Sequence, residues 1–407
     1  MRNKLSVAAF AMAALMTACN SSDNTTAVST SVELPGTVDN EAFAANVESI
    51  SVMNLEMDDA WTLANDVDFT LTDNYIYLLE SNELRLMCFD RKTGERHSTR
   101  TLKGNGPGEI NHFNSTFHIG DTLCIFGENN TIYQYDHNGA FLGKLHEFRD
   151  CGFISVVYRL NSGKYLLIMH NFSATDTIPP KVLLTDNKFN ILSEHFRVPE
   201  IRASFYLMGL GKTYIANNDT LRFFFHNHCD NHLYSLFGDS EQCNELVLPN
   251  PLTAELMQES TNNPSLISKI MESDGFFGNL GESGRFVTFR YVINSKKQYV
   301  SLLDKRTNKV VSMCIEDEMK ESAAVFTFKI LIQAKTLLSD GKYLFTQCKN
   351  HDLSNILEGH DDLLDTRLKK TQAEYRAYLE RNAEYIKSLE PEERDAANVI
   401  LKIKLKD

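Results

Sequence analysis

Six times along this chain a tight turn runs straight into a short stretch of aromatic and β-branched residues. The turns are Asp73-Asn74-Tyr75, Gly120-Asp121-Thr122, Ser162-Gly163-Lys164, Asn218-Asp219-Thr220, Glu282-Ser283-Gly284 and Asp340-Gly341-Lys342. The stretches entered from them include YIYLL, LCIF, YLLIM, LRFFF, RFVTF and YLFTQ. Five of the six lead on to a second apolar run, another short turn and a further strand. A recurring unit of this size cannot bury its apolar face alone, so it must stack on its neighbours. Strands this dense, rich in β-formers, predict an all-β fold. Four strands per unit and six units predict a six-bladed β-propeller, whose radial repetition leaves only short sheet edges.

The sixth unit has no third strand beside its second. After Lys349 comes a charged, helical region, and then Asn398–Leu405, which alternates apolar and basic residues. Val47–Val52 alternates too, as a strand with one buried face must. The expected solution is closure by the chain ends, with the C-terminal strand third and the N-terminal strand outermost. The propeller is then expected over residues 46–407, with helical insertions at about 252–273 and 353–397. In a four-stranded meander, the connections two-to-three and four-to-next emerge on one face and the others on the opposite face. Sorted this way, the one-to-two and three-to-four turns are nearly all short, and the long connections gather on the opposite face. Long loops tend to carry function, so ligand contacts are expected on the elaborated face, at Asn105, Glu109, His226, His228, Asp230 and His232.

The N-terminus reads as an address. Arg2 and Lys4 precede an apolar run, Leu5–Met16, too short for an ordinary membrane-spanning helix. Met16-Thr17-Ala18-Cys19 resembles a bacterial lipobox, with Met where Leu is usual. By that resemblance residues 1–18 are a signal peptide and Cys19 carries lipid, which anchors stably when two or more chains are attached. Residues 19–45, rich in Ser, Thr, Asn and Asp, are expected to be a disordered tether. Asn20 is not the Asp that usually retains such proteins at the inner membrane, so the resemblance implies the outer one, periplasmic or surface-facing.

The segment ESNELRLMCFD followed by Gly104-Asn105-Gly106-Pro107-Gly108-Glu109 resembles the NHL-type repeat. The whole layout resembles the bacterial six-bladed β-propeller lipoproteins, a resemblance that speaks to fold and little to activity. The Gly-rich loop lacks the Lys-Ser/Thr of a phosphate cradle, and its glycines read as backbone devices between blades. His226 and His228 would share a face of a continuing strand and could hold a transition metal, but the spacing matches no zinc signature. Asp66 and Asp68 precede the first innermost strand and point to the central channel. Cys88, Cys124, Cys314 and Cys348 lie within apolar runs and read as core thiols.

The formal charge of −13 argues against a nucleic-acid partner. No catalytic motif stands out and no cofactor is expected. A monomeric, non-catalytic module is therefore expected, binding a glycan, a peptide or another envelope protein. The competing reading is a propeller lyase or hydrolase with a metal at the central channel. It would need carboxylate, His and Asn side chains converging from at least three blades.

Overall fold

The computed structural model describes residues 30–34, 38–57, 67–149, 154–169, 180–197, 214–217, 219–224, 231–253, 255–256, 259–260, 263–293, 297–314, 321–333 and 338–407. Among them the strands form six sheets, and the chain is a β-propeller. Two early strands, β1 (Thr30–Glu33) and β2 (Val47–Val52), join sheets built later in the chain. The first sheet is β3 (Val67–Leu71), β4 (Tyr75–Glu80), β5 (Arg85–Asp90) and β6 (Arg96–Thr101). The second is β7 (Phe113–Ile119), β8 (Thr122–Gly127), β9 (Thr131–Tyr135) and β10 (Phe141–Glu147). The third is β11 (Ile154–Arg159), β12 (Tyr165–Met169), β13 (Val182–Thr185) and β14 (Ile191–His195). The fourth is β15 (Tyr214–Asn217), β16 (Thr220–Phe224), β17 (His232–Phe237) and β18 (Ser240–Val247), with β1 added. The fifth is β19 (Gly275–Ser283), β20 (Phe286–Ile293), β21 (Lys297–Asp304) and β22 (Lys309–Cys314). Each is an antiparallel meander, and its two middle strands are buried on both faces, as in LCIF of β8 and RLMCFD of β5.

The sixth sheet closes the fold as its alternating pattern requires. Its order is β23 (Leu338–Ser339), β24 (Leu344–Lys349), β25 (Asn398–Leu405) and β2. Ile403 of β25 lies opposite Leu344 on one side and Ile50 on the other. Leu401, Ile403 and Leu405 are buried while Lys402 and Lys404 are half-exposed, so the alternation seen in the sequence is the two-sidedness of this strand.

The expected tether of residues 19–45 is corrected by structure from Thr30 onward. β1 pairs in parallel with β18, and Thr30 Oγ1 donates to Asn244 Oδ1 at 2.8 Å. Helix α1 (Asn40–Asn46) follows, capped by Asp39, whose Oδ1 accepts from Ala42 N at 2.8 Å, and it buries Phe43 and Ala44. Polar composition suggested disorder, but a single buried residue such as Val32 is enough where a sheet edge already offers backbone partners. The signal peptide and Cys19 lie outside the described residues.

The helical insertions sit in the connections expected. A helix α2 (Ile267–Glu272) lies between β18 and β19. Between β22 and β23 is α3 (Ala323–Gln333), which the sequence reading does not anticipate. Ala324, Val325, Phe326, Phe328, Ile330 and Leu331 are all buried, so it is apolar nearly all round and shows no helical period. Four more, α4 (Asn350–Leu357), α5 (Thr366–Arg381), α6 (Ala383–Ser388) and α7 (Pro391–Ala396), fill the connection from β24 to β25. Strand parity assigns all of these connections to one face. The long helix α5 starts at Asp365, whose carboxylate caps Leu368 N, and it buries Leu368, Tyr375 and Tyr378. Thr371 Oγ1 donates to Ile50 O at 2.6 Å, and Tyr378 OH to Asn398 O at 3.0 Å. The amphipathic face of α5 is therefore spent on the closing sheet. Cys88, Cys124, Cys314 and Cys348 are buried free thiols, as is Cys243.

Candidate functional site

The innermost strands of five sheets, β3, β7, β11, β15 and β23, enclose a cavity of about 440 Å³. That volume is in the range of small-molecule sites. Its position follows from the repeat, since each unit contributes the same strand to the axis. On its wall is Asp68, half-buried on β3. Its Oδ1 accepts from Phe69 N at 3.0 Å and its Oδ2 from Thr116 Oγ1 at 2.9 Å. Thr70 Oγ1 in turn donates to Thr116 Oγ1 at 2.8 Å, so β3 and β7 are joined by a chain of hydroxyls ending on the carboxylate. Tyr158 of β11 stands beside it, its ring edge-on to Tyr214 at 6.2 Å. Burial, with the charge of Asp68 adding, pushes the Tyr158 hydroxyl far above the usual range, so it stays neutral.

The residues around the cavity also include Thr72, Asp73, Arg91, Asn161 and Asp340. All five belong to the one-to-two or three-to-four turns or border them, so the mouth opens among the short turns. The cavity thus opens on the face opposite the elaborated one. On the elaborated face, α5 packs down on the closing sheet. Around the mouth, polar side chains bridge neighbouring sheets. Asn74 Nδ2 donates to Asp121 Oδ2 at 2.7 Å, and Ser162 Oγ to Asp219 Oδ1 at 2.9 Å. Ser283 Oγ donates to Lys342 O at 2.6 Å. Arg91 Nη2 reaches Asp340 Oδ2 at 3.2 Å, tying the first sheet to the sixth. Two further bridges are buried: Val157 N to Ser115 Oγ at 3.1 Å, and Arg222 Nε to Glu282 Oε2 at 3.0 Å. Every junction between consecutive sheets, last to first included, carries one of these six bridges. The Asn74 amide holds the Asp121 carboxyl below its ordinary range.

Three sheets bring Asp68, His118 and Asp340 to the cavity, but these groups are engaged separately. His118 Nδ1 donates to Gly120 O at 2.9 Å, and Asp340 Oδ1 accepts from Lys342 N and Tyr343 N of its own turn. Among the described residues no three His, Cys, Asp or Glu side chains converge as a metal site would require.

The ligand candidates from the sequence fall elsewhere. Asn105 and Glu109 border a second, outer cavity of about 570 Å³ with Tyr133, Phe141 and Lys144. Their polar atoms serve the loop itself: Glu109 Oε2 accepts from Gly106 N at 2.7 Å, and Asn105 Oδ1 accepts from Asn111 Nδ2 at 3.1 Å. Gly108 has φ +75°, and a Cβ there would stand 2.3 Å from Phe141, so the glycine is required by the packing. His232 begins β17, its ring 6.1 Å from Tyr234. His226, His228, Asp230 and Asp66 lie outside the described residues. Sequence reasoning singled out Asp68 but missed Thr70, Thr116 and Tyr158. A signal was present, since each lies on the run just before a one-to-two turn and so on an innermost strand.

Comparison with known proteins agrees with the topology. A protein of Bacteroides fragilis NCTC 9343 described as exported superposes with a TM-score of 0.64 at 15% identity, over 94% of this chain and 100% of its own. A member of the duf4221 family from Bacteroides vulgatus ATCC 8482 gives 0.50 at 10% identity, over 88% and 99%. Identities this low speak to the fold alone. No curated protein matches the sequence. Residues 30–379 match the family described as Domain of unknown function (DUF4934), beginning at the first residue of β1, and the chain belongs to that family.

Proposed function

We propose that this protein is a lipid-anchored, extracytoplasmic β-propeller that binds a ligand without transforming it, at the outer membrane of the cell envelope. The observation that carries the reading is the axial cavity, built by five sheets and lined by Asp68 with a chain of hydroxyls ending on its carboxylate. Anchoring rests on the lipobox-like Met16-Thr17-Ala18-Cys19, and the structural relative described as exported is in keeping with it. Glycan, peptide and envelope-protein ligands all remain within this reading, and the outer cavity beside Asn105 and Glu109 is a second surface for them.

The alternative, a lyase or hydrolase with a channel metal, draws on the same cavity, because Asp68, His118 and Asp340 come from three sheets. Fractionation with a fatty-acid label tests the anchor. The natural chain should partition with membranes and carry label, and Cys19→Ala should be soluble or remain an unprocessed precursor. A labelled, membrane-bound Cys19→Ala would overturn it. Melting with and without EDTA separates the two site readings. A binding module should melt alike in both, whereas a resident metal should add stability that chelation removes.

A further inference from the structure

We propose that the axial cavity is a receptor for a small aliphatic amine, with Asp68 taking its ammonium group. The inference rests on the cavity being the ligand site and adds the chemical class. Asp68 has no ion-pair partner among the described residues. Of the two arginines that line the cavity, Arg91 is already engaged. It is held by Thr72 O and Asp340, and Arg159 follows Tyr158 at the exposed end of β11. Each Asp68 oxygen has accepted one hydrogen bond, and a carboxylate can take about four in all. A half-buried, unpaired anion is costly, and a cation that supplies donors relieves the cost.

An ammonium group offers three donors. The cavity offers three acceptors to match: the Asp68 carboxylate, the Thr70–Thr116 hydroxyl pair and the neutral Tyr158 hydroxyl. A divalent metal would want about six oxygens or more. The rest of the wall suits a methylene chain, with Leu71, Ile215, Ala216 and Leu338 alongside. The net charge of −13 also favours a cation at the mouth.

Isothermal titration of the purified full-length chain at pH 7 tests this with three probes: n-butylammonium chloride, 1-butanol and calcium chloride. Butylammonium should bind, and butanol, which has the same chain without the charge, should bind about tenfold more weakly or worse. Asp68→Asn should weaken butylammonium binding roughly ten- to hundredfold. Glu358→Gln, which removes a half-exposed carboxylate paired with Arg376 away from the cavity, should not. If Asp68→Asn fails to fold, Ala216→Leu fills the cavity from the fourth sheet and should also abolish binding. Equal affinity for butanol, undiminished binding by Asp68→Asn, or displacement of the amine by calcium would each overturn the proposal. No binding of butylammonium would sink the amine class while leaving the anchoring and chelation tests untouched.

Discussion

Replacing Ile403 with alanine tests how the ring closes. Ile403 is fully buried on β25, with Leu344 and Ile50 as its cross-strand neighbours. The change removes three carbons, about 2.4 kcal/mol of transfer free energy at about 0.8 kcal/mol each. The space left between two sheet neighbours adds a cavity term, for a loss of about 2.5–4 kcal/mol. In a chain of this length that corresponds to a fall of about 3–5 °C in thermal midpoint. Leu142→Ala, at a side chain 57% exposed, should change stability by less than about 0.5 kcal/mol. Ile50→Ala and the double variant complete a cycle. Because residues 50 and 403 oppose each other across the strand pair, their effects should fail to add by about 0.5 kcal/mol or more. The assay is thermal unfolding of the full chain by circular dichroism. An Ile403→Ala chain that melts like the natural one, or additivity within about 0.3 kcal/mol, would refute the argument that the chain ends are packed on each other.

Glu282 holds Arg222 at 3.0 Å and Lys305 at 2.5 Å in a buried network between the fourth and fifth sheets. Glu282→Gln leaves those cations uncompensated and should cost about 3 kcal/mol or more by urea titration, and a loss below about 1 kcal/mol would contradict the network. Asp304 is held well below the usual carboxylate range, first by the hydrogen bond from Arg285 and also by Arg306 N. Its contribution is complete above the unfolded carboxylate range and is lost as pH falls through that range toward its own lower pKa. Asp304→Asn should therefore flatten the decline in urea midpoint between about pH 5 and pH 3, and an unchanged acid limb would refute this. Burial pushes the thiols of Cys88, Cys124 and Cys348 up to about 12. Peptide mapping should find all three unalkylated by iodoacetamide at pH 8 in the native chain and alkylated in urea, and native labelling of any of them would show that it is not buried.

Patterns with a period were legible in the sequence. The turn-then-strand unit is the meander, and the apolar–basic alternation of Asn398–Leu405 is a strand with one face on the core. Patterns without a period were not. The helix Ala323–Gln333 is buried on nearly all sides, so its sequence, AAVFTFKILIQ, carries neither the spacing of a surface helix nor a polar face. The strand Thr30–Glu33 has the opposite difficulty. Three of its four residues are exposed, so little in its composition separates it from a tether. Its order comes from the free edge of β18, which lies more than two hundred residues away and is invisible to a local reading.

The turn residues show why the face with the axial cavity carries short turns. Asn74, Asp121, Ser162, Asp219, Ser283 and Asp340 are the residues that mark the six turns, and small polar side chains are what tight turns need in any protein. Nothing local distinguishes a residue that only makes a turn from one that also reaches across to the next sheet. In the folded chain these residues have both tasks, because radial packing brings consecutive turns side by side around the axis. A turn required to bridge its neighbour cannot lengthen without losing the bridge, so the turns of the mouth stay short. On the other face the connections take in helices, and α5 packs against β2. Short turns here are thus the consequence of a constrained opening.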